Sequence, residues 1–358
     1  FQSVMDGEER RKAGAHYTTE KNIMKVIGPL FLDDLRSQFE HLKGLKRERE
    51  KRLRAFHDRL ASLHFLDPAC GCGNFLVIAY RELRQLELEV LLALAAEERD
   101  AEGQLQRKLD VTGLSRVDVD QFAGIELFEF PARIAETAMW MMDHIMNNAL
   151  SQAFGQVYAR IPLKKSPVIR HGDALEVDWA DVLPPDQCDY VLGNPPFIGA
   201  KYQSAQQRQQ VRALAGLGGS GGTLDYVCAW FIKAGAYVNA GGKRAHVGFV
   251  STNSITQGEQ VAQLWPILFD RHRMEISFAH RTFAWGSDAR GKAHVHVVII
   301  GLAPRGSEPA EKRLFSYDHV NAEPLESRHG ALSPYLFDAG GLADPHTVVS
   351  ESSTSLSG

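Results

Sequence analysis

The chain has 358 residues, 44% of them hydrophobic and 23% charged, with 40 basic against 44 acidic side chains and a net charge of −4. This mixture excludes a collagen, a disulfide mini-protein and a disordered tail, and the charge argues against a wholesale polyanion binder. No apolar run is long enough to span a bilayer, and four cysteines make no disulfide framework, so a cytoplasmic thiol state is the expected one. The chain opens on Phe1 rather than Met, without a basic-then-apolar leader, and residues 350–358 are almost all Ser, Thr and Gly around one Glu. It reads as a piece of a longer polypeptide with a linker-like end.

Residues 20–60 read as helix and carry a basic cluster of Lys43, Lys46, Arg47, Arg49, Lys51, Arg52 and Arg54, read as a solvated face before a DNA contact. His64 to Leu66 is a short strand that breaks into Asp67-Pro68-Ala69-Cys70-Gly71-Cys72-Gly73-Asn74. Leu76, Tyr80, Leu83, Leu86 and Val90 then recur at helical spacing. Residues 97–120 are charged, weakly periodic and read as an insertion. A strand at 122–126 precedes a helix from about 129 to 147, Val168 to Arg170 is a third strand, and Asp189 to Leu192 a fourth. That fourth strand runs into Gly193-Asn194-Pro195-Pro196-Phe197. The stretch 203–222 is Gln- and Gly-rich and reads as a mobile loop. A helix from Leu224 to Val238, a strand from His246 to Val250 and a helix near 258–270 follow. Strands at 274–280 and 293–302 are spaced to pair as an antiparallel edge hairpin, and 303–349 gives no assignment.

Strands alternating with helices predict an α/β fold with a mostly parallel sheet. Ligands of such sheets bind past the carboxyl ends of the strands, which puts both the Gly-rich loop and the Asn-Pro-Pro-Phe loop on the binding edge. The Gly-rich turn is neither the dinucleotide pattern nor a Walker A loop, because Asn74-Phe75-Leu76 follows Gly73 and no Gly-Lys-Ser/Thr occurs there. Asp67, Glu126 and Asp173 end three successive strands, a set that suits an adenosine with a charged amino-acid tail. In the later loop two prolines fix φ and remove N–H donors. Asn194 then offers an amide oxygen and Pro195 a carbonyl, two acceptors suited to an exocyclic NH₂, while Phe197 offers a flat face for a base taken out of its stack.

Asp67 through Leu76 resembles motif I of the amino-group DNA methyltransferases, and Asn194 through Phe197 their motif IV. More particularly, Asp67–Glu82, Gly124–Asn147, Gly193–Gln210 and Leu224–Gly301 look like the methyltransferase section of the MmeI-type (type IIL) single-chain restriction–modification enzymes, over roughly residues 10–340. That resemblance implies a Rossmann-like class I fold with a seven-stranded sheet and a reversed last strand. It implies methyl transfer from S-adenosylmethionine to N6 of a flipped-out adenine in double-stranded DNA. Asp67, Ala69, Gly71 and Gly73 would surround the methionine part of the cofactor. Glu126 and Leu127 would take its ribose and flank its adenine, Asp173 with Ala174 would meet the adenine amino group, and Trp230 would lie near that ring. Asn194 and Pro195, backed by Pro196, would hold the target N6, Asn194 also facing the cofactor, with Phe197 and Phe283 against the base. Ala15-His16-Tyr17-Thr18-Thr19 looks like motif X, which places Tyr17 and Thr18 at the cofactor's methionine end; Thr19 stands where the family usually has Pro. The motif order is that of the γ class.

The implied division is a helical segment over 1–60, a catalytic core over 61–302 and an extension over 303–358 toward a target-recognition domain outside the chain. No nuclease-type Asp…Glu-x-Lys cluster is evident, so a nuclease would also lie outside. Three rival readings stand beside this one. A protein glutamine methyltransferase presents the same kind of NH₂ to such a loop. A catalytically silent DNA-binding module of a defence complex would keep the fold. A metal site at Cys70-x-Cys72 lacks the spacing and the further ligands that zinc needs, and His294 with His296 reads as sheet, so no metal is expected.

Overall fold

The structure, a computed structural model, describes residues 18–102, 115–155, 165–218, 223–285, 295–342 and 344–347. Tyr17, His294 and the 350–358 tail lie outside the described residues. The chain packs as two compact units, one formed by Ile27–Asp173 and the other by the residues up to Val26 with those from Ala174 onward.

Where one helical stretch was expected, the chain is helical from Glu20 to Lys43, as α1 (Glu20–Ile27) and α2 (Asp33–Lys43) around a wider helical turn, and again over α3 (Arg49–Leu60). The wide turn at Gly28–Leu32 carries α1 into α2, and Glu48 at φ 55° interrupts the helix before α3. Three of the seven basic residues of the cluster pair with glutamates one turn away: Lys43 with Glu40 at 2.9 Å, Arg52 with Glu48 at 3.5 Å and Arg54 with Glu50 at 2.9 Å. These are exposed one-turn pairs, the pattern of a solvated helix face.

In the first unit β1 (Phe65–Asp67), β2 (Phe122–Glu126) and β3 (Val168–His171) are parallel, with β2 paired to both neighbours. Phe65 lies opposite Phe122, and the two rings stack at 4.7 Å. Phe31 meets Phe65 edge-on at 5.1 Å, and Tyr80 meets Phe122 edge-on at 5.4 Å. Over this apolar centre run α4 (Asn74–Glu102) and α5 (Glu129–Phe154), longer than its expected end near 147. A buried polar network joins α3, α4 and α5. Arg84 donates to Asp143 at 2.9 Å and Asn147 at 2.8 Å, Tyr80 donates to Asp143 at 2.6 Å, and His57 and Glu87 share a bond at 2.8 Å. Glu87 also accepts from Ser115 and from the N–H groups of Arg116 and Val117, which fixes the chain on its way into β2. Buried charges persist only when partnered this fully.

In the second unit β4 (Tyr190–Gly193) pairs parallel with β5 (His246–Thr252). Next to β5 lies β7 (Val295–Pro304), antiparallel both to it and to β6 (Met274–Trp285), so a reversed strand is present as expected. The β6–β7 hairpin is not an edge: β8 (Lys312–Ser316) continues parallel to β6, and β9 (Leu325–His329) pairs antiparallel with β8. Nine strands are therefore described rather than seven, the extra two coming from the segment that gave no assignment. The expected mobile loop at 203–222 contains α6 (Ala205–Ala215). Ser204 and Gln207 form a reciprocal capping box at its start, and Val211 and Ala215 bury its inner face. α7 (Cys228–Ala240) and α8 (Gly258–Pro266) complete the set, α8 passing into a wide turn at Ile267–Arg271. No described helix is long and apolar enough to cross a membrane.

Every residue of β7 from Val297 to Pro304 is buried. Phe278 crosses the sheet directly over Gly301, so a Cβ at Gly301 would lie 2.1 Å from the ring. Gly301→Ala is expected to destabilise the chain by about 1–3 kcal/mol through overpacking, read as a lower midpoint in denaturant unfolding with an unchanged slope.

Candidate active site

In the first unit the carboxyl ends of β1, β2 and β3 bring Asp67, Glu126 and Asp173 to one edge. The parallel register sets this, pairing Asp67 with Gly124 and Glu126 with His171. Asp67 is 1% exposed. Its Oδ1 accepts the Ala69 N–H at 3.0 Å, while its Oδ2 is buried with no partner. The loop then turns on Gly71 at φ 55° and Gly73 at φ 83°. A side chain at Gly71 would meet no atom, so that surface is open backbone, whereas one at Gly73 would press on Ala135 of α5 at 3.0 Å. Ala69 sits between Asp67 and the turn.

Glu126 holds this loop in place. Its Oε2 accepts the Gly71 N–H and its Oε1 the Phe128 N–H, both at 3.0 Å. Its own carbonyl accepts the Gly172 N–H at 2.9 Å, which joins the ends of β2 and β3. The His171 ring bonds the Leu127 carbonyl at 3.1 Å, and Leu127 itself is 52% exposed, an uncovered apolar surface beside the carboxylate. Gly124 is a residue the sequence reading passed over. A Cβ there would lie 2.8 Å from the Cys70 thiol, so the strand must be bare where the loop packs back on it. Burial pushes the Cys70 thiol well up, which makes it an unreactive packing group.

The second unit carries the other set. Asn194 follows β4, its Nδ2 donating to the Thr18 hydroxyl at 3.3 Å, while its Oδ1 is buried and without a partner. Pro195 is buried, and Pro196 and Phe197 are half-buried. Ala174 is buried, and its carbonyl accepts the Trp179 indole N–H at 2.8 Å. Trp230 in α7 is buried edge-on against Tyr226 at 5.1 Å. Phe283 differs from the expected open platform. It is 1% exposed, stacked on Tyr317 at 5.1 Å, and the Lys25 ammonium lies 4.1 Å over its ring. Burial holds Lys25 down at about 8, with Lys21 adding to the effect, and burial holds the neighbouring His280 down at about 3, so that imidazole is neutral. Lys25 and Tyr317 carried no sequence signal, because their role arises only from contacts between distant segments.

Among the described residues no group of three or more His, Cys, Asp or Glu side chains could hold a metal ion. The donor set instead suits a cofactor with hydroxyl and amino groups: an orphaned buried carboxylate oxygen at Asp67, a bare backbone turn at Gly71 and a second carboxylate at Glu126. Burial, reinforced by the negative charge of Glu126, pushes the Asp67 carboxyl from 3.8 up to about 8. Between these two values the folded chain keeps a proton that the unfolded chain has released, so this group's contribution to stability falls as pH rises from about 4 to about 8. Asp67→Asn is expected to flatten that decline in the ligand-free protein, seen as a Tm difference from wild type that grows toward pH 8.

The family of the MmeI DNA-methyltransferase domain matches residues 43–316 of this chain. The chain is 36% identical over 342 residues to DNA methyltransferase A of Bacillus subtilis (strain 168), covering 94% of this chain and 36% of that protein. It superposes on the type IIL restriction–modification enzyme MmeI, solved in complex with DNA, with a TM-score of 0.86 and 48% identity, over 94% of this chain and 43% of that one. A segment of 89 residues is 32% identical to a putative type II restriction enzyme and methyltransferase of Methanocaldococcus jannaschii, covering 25% of this chain and 7% of that protein. The chain thus spans less than half the length of these relatives. Its fold is the Rossmann-like class I methyltransferase fold, and the chain belongs to the MmeI DNA-methyltransferase domain family.

Proposed function

We propose that this chain transfers a methyl group from S-adenosylmethionine to N6 of an adenine flipped out of double-stranded DNA, as the modification section of a cytoplasmic restriction–modification enzyme. Target recognition and any nuclease would be supplied by parts outside this chain. The observation that carries the reading is the buried, partnerless Oδ1 of Asn194 at the head of a Pro-Pro-Phe turn. A buried acceptor left unpaired costs about 1–3 kcal/mol, so its persistence points to a ligand donor.

S-adenosylmethionine supplies an electrophilic methyl when bound. Asp67 would offer its second oxygen to the cationic amino group of the methionine part, Gly71 and Gly73 would let the backbone approach it, and Tyr17 and Thr18 would hold the same part. Glu126 keeps lone pairs for ribose hydroxyls while its two backbone bonds hold it still. Leu127, Asp173, Ala174 and Trp230 would hold the adenine part of the cofactor, the first and last by apolar surface and Asp173 by accepting from its amino group. Asn194 Oδ1 and the Pro195 carbonyl accept from the two N6 hydrogens of the target, which leaves the nitrogen lone pair for the methyl. Phe197 stacks on the extruded base. Phe283 would join it only after Lys25 has left the ring face. No group must form a covalent bond with the substrate, so no Cys, Ser or His is required.

Labelled S-adenosylmethionine with unmethylated genomic DNA, followed by nucleoside digestion and mass spectrometry, tests this. N6-methyladenine is the expected product; label in another base or in a glutamine peptide alone would overturn it. Asn194→Ala is expected to lower the rate at least about 100-fold while the chain stays folded. With a net charge of −4 and part of the basic cluster already paired to its own glutamates, DNA binding by this chain alone is expected to be weak. It should fall steeply between low and physiological salt in a fluorescence-anisotropy titration.

A further inference from the structure

The chain leaves Phe197 through residues 198–203, and the tripeptide Leu224-Asp225-Tyr226 holds that exit at three points. The Tyr226 N–H donates to the Ile198 carbonyl at 2.9 Å, the Ala200 N–H donates to Asp225 Oδ1 at 3.0 Å, and Gln203 Nε2 donates to the Leu224 carbonyl at 2.8 Å. The other oxygen of Asp225 accepts from the Ser254 hydroxyl at 2.5 Å and lies 3.3 Å from that of Thr252, where β5 ends. The Asp225 N–H in turn donates to Gln260 of α8 at 3.1 Å. Asp225 is 9% exposed, so water screens these bonds little.

One carboxylate therefore joins the exit of the Asn-Pro-Pro-Phe loop to the end of β5, the strand that pairs with β4 at the loop's entrance. Pro195 and Pro196 have fixed φ, so the loop moves nearly as a rigid piece whose freedom lies at its two ends. The entrance is held by the β4–β5 ladder and the exit by Asp225. We propose that Asp225 is the positioning residue that sets where Asn194 Oδ1, the Pro195 carbonyl and the Phe197 ring stand toward the substrate amino group. This rests on the reading that the loop receives that group. Asp225 is not a proton acceptor in the scheme, because both its oxygens already accept from the protein and the amino group needs no prior deprotonation.

The test compares Asp225→Ala and Asp225→Asn with wild type in the full chain. The readouts are kcat at saturating S-adenosylmethionine and unmethylated genomic DNA, cofactor affinity by calorimetry, and amide exchange of residues 198–203. Asp225→Ala is expected to lower kcat about 30- to 100-fold, to leave cofactor affinity within about twofold and to speed exchange of the Ala200 amide. Asp225→Asn, whose amide oxygen still accepts from Ala200, is expected to recover kcat to within about fivefold of wild type. The proposal is overturned if Asp225→Ala keeps kcat within about twofold, or if cofactor affinity falls in step with kcat, or if Asn rescues nothing. Should Asp225→Ala not fold, the near-isosteric pair Thr252→Val with Ser254→Ala removes the hydroxyl partners. An about fivefold loss of kcat at unchanged cofactor affinity supports the proposal, and an unchanged kcat overturns it. A wild-type protein that methylates a different acceptor defeats the adenine reading, yet the kcat ratios and the exchange difference still decide the role of Asp225.

Discussion

The carboxylate of Glu126 is the constraint on which the first unit's binding edge depends. A Gly-rich turn has many conformations open to it, and nothing in Gly71 itself selects one. By accepting the Gly71 and Phe128 N–H groups with its two oxygens, Glu126 ties a loop after one strand to a turn after the next. Hydrogen bonds to a charged acceptor contribute roughly 1.5–3 kcal/mol each, enough to select a single loop conformation. The same side chain is thereby held with lone pairs to spare. Asp67 stands next to it without a second partner, so the edge is ordered before any ligand arrives and remains short of a cation or donor.

The buried polar groups are of two kinds. The Arg84–Asp143–Asn147 and His57–Glu87 groups satisfy one another inside the protein, and their work is to fix helices α3, α4 and α5 over the aromatic centre. Asp67 and Asn194 are buried to the same degree of inaccessibility at one oxygen each, yet that oxygen has nothing to bond. A folded chain tolerates few such atoms, and of the seven among the described residues these two open the Gly-rich loop and the Asn-Pro-Pro-Phe loop.

Phe65–Asp67, Phe122–Glu126 and Tyr190–Gly193 were legible because each is a short apolar run ended by an acid or a glycine. The reversed strand was legible from Val295, Val297 and Val298. Helix α6 was not, since its Gln-rich sequence hides a reciprocal cap at Ser204 and Gln207 and only two buried apolar residues. Strands β8 and β9 were missed because β9 is largely exposed and its ladder is held by charge, with Arg313 paired to Glu326 at 2.9 Å, rather than by an apolar pattern. At the site, the loop motifs announced Asp67, Glu126 and Asn194. They could not announce that Lys25 covers Phe283, a contact that only the assembled unit creates.

The bond between Thr18 and Asn194 closes a loop of 176 residues, and the whole first unit lies inside that loop. The order of events during synthesis follows. The stretch Ile27–Asp173 has all its strands and helices in hand once the ribosome has passed it, and its contacts are comparatively local. The second unit cannot close until its residues before Ile27 meet segments made after Asp173. Asn194 therefore acquires its threonine partner only after the stretch Ile27–Asp173, with its acid-ended strands, has been made, and that partner has had to wait on the far side of the whole first unit.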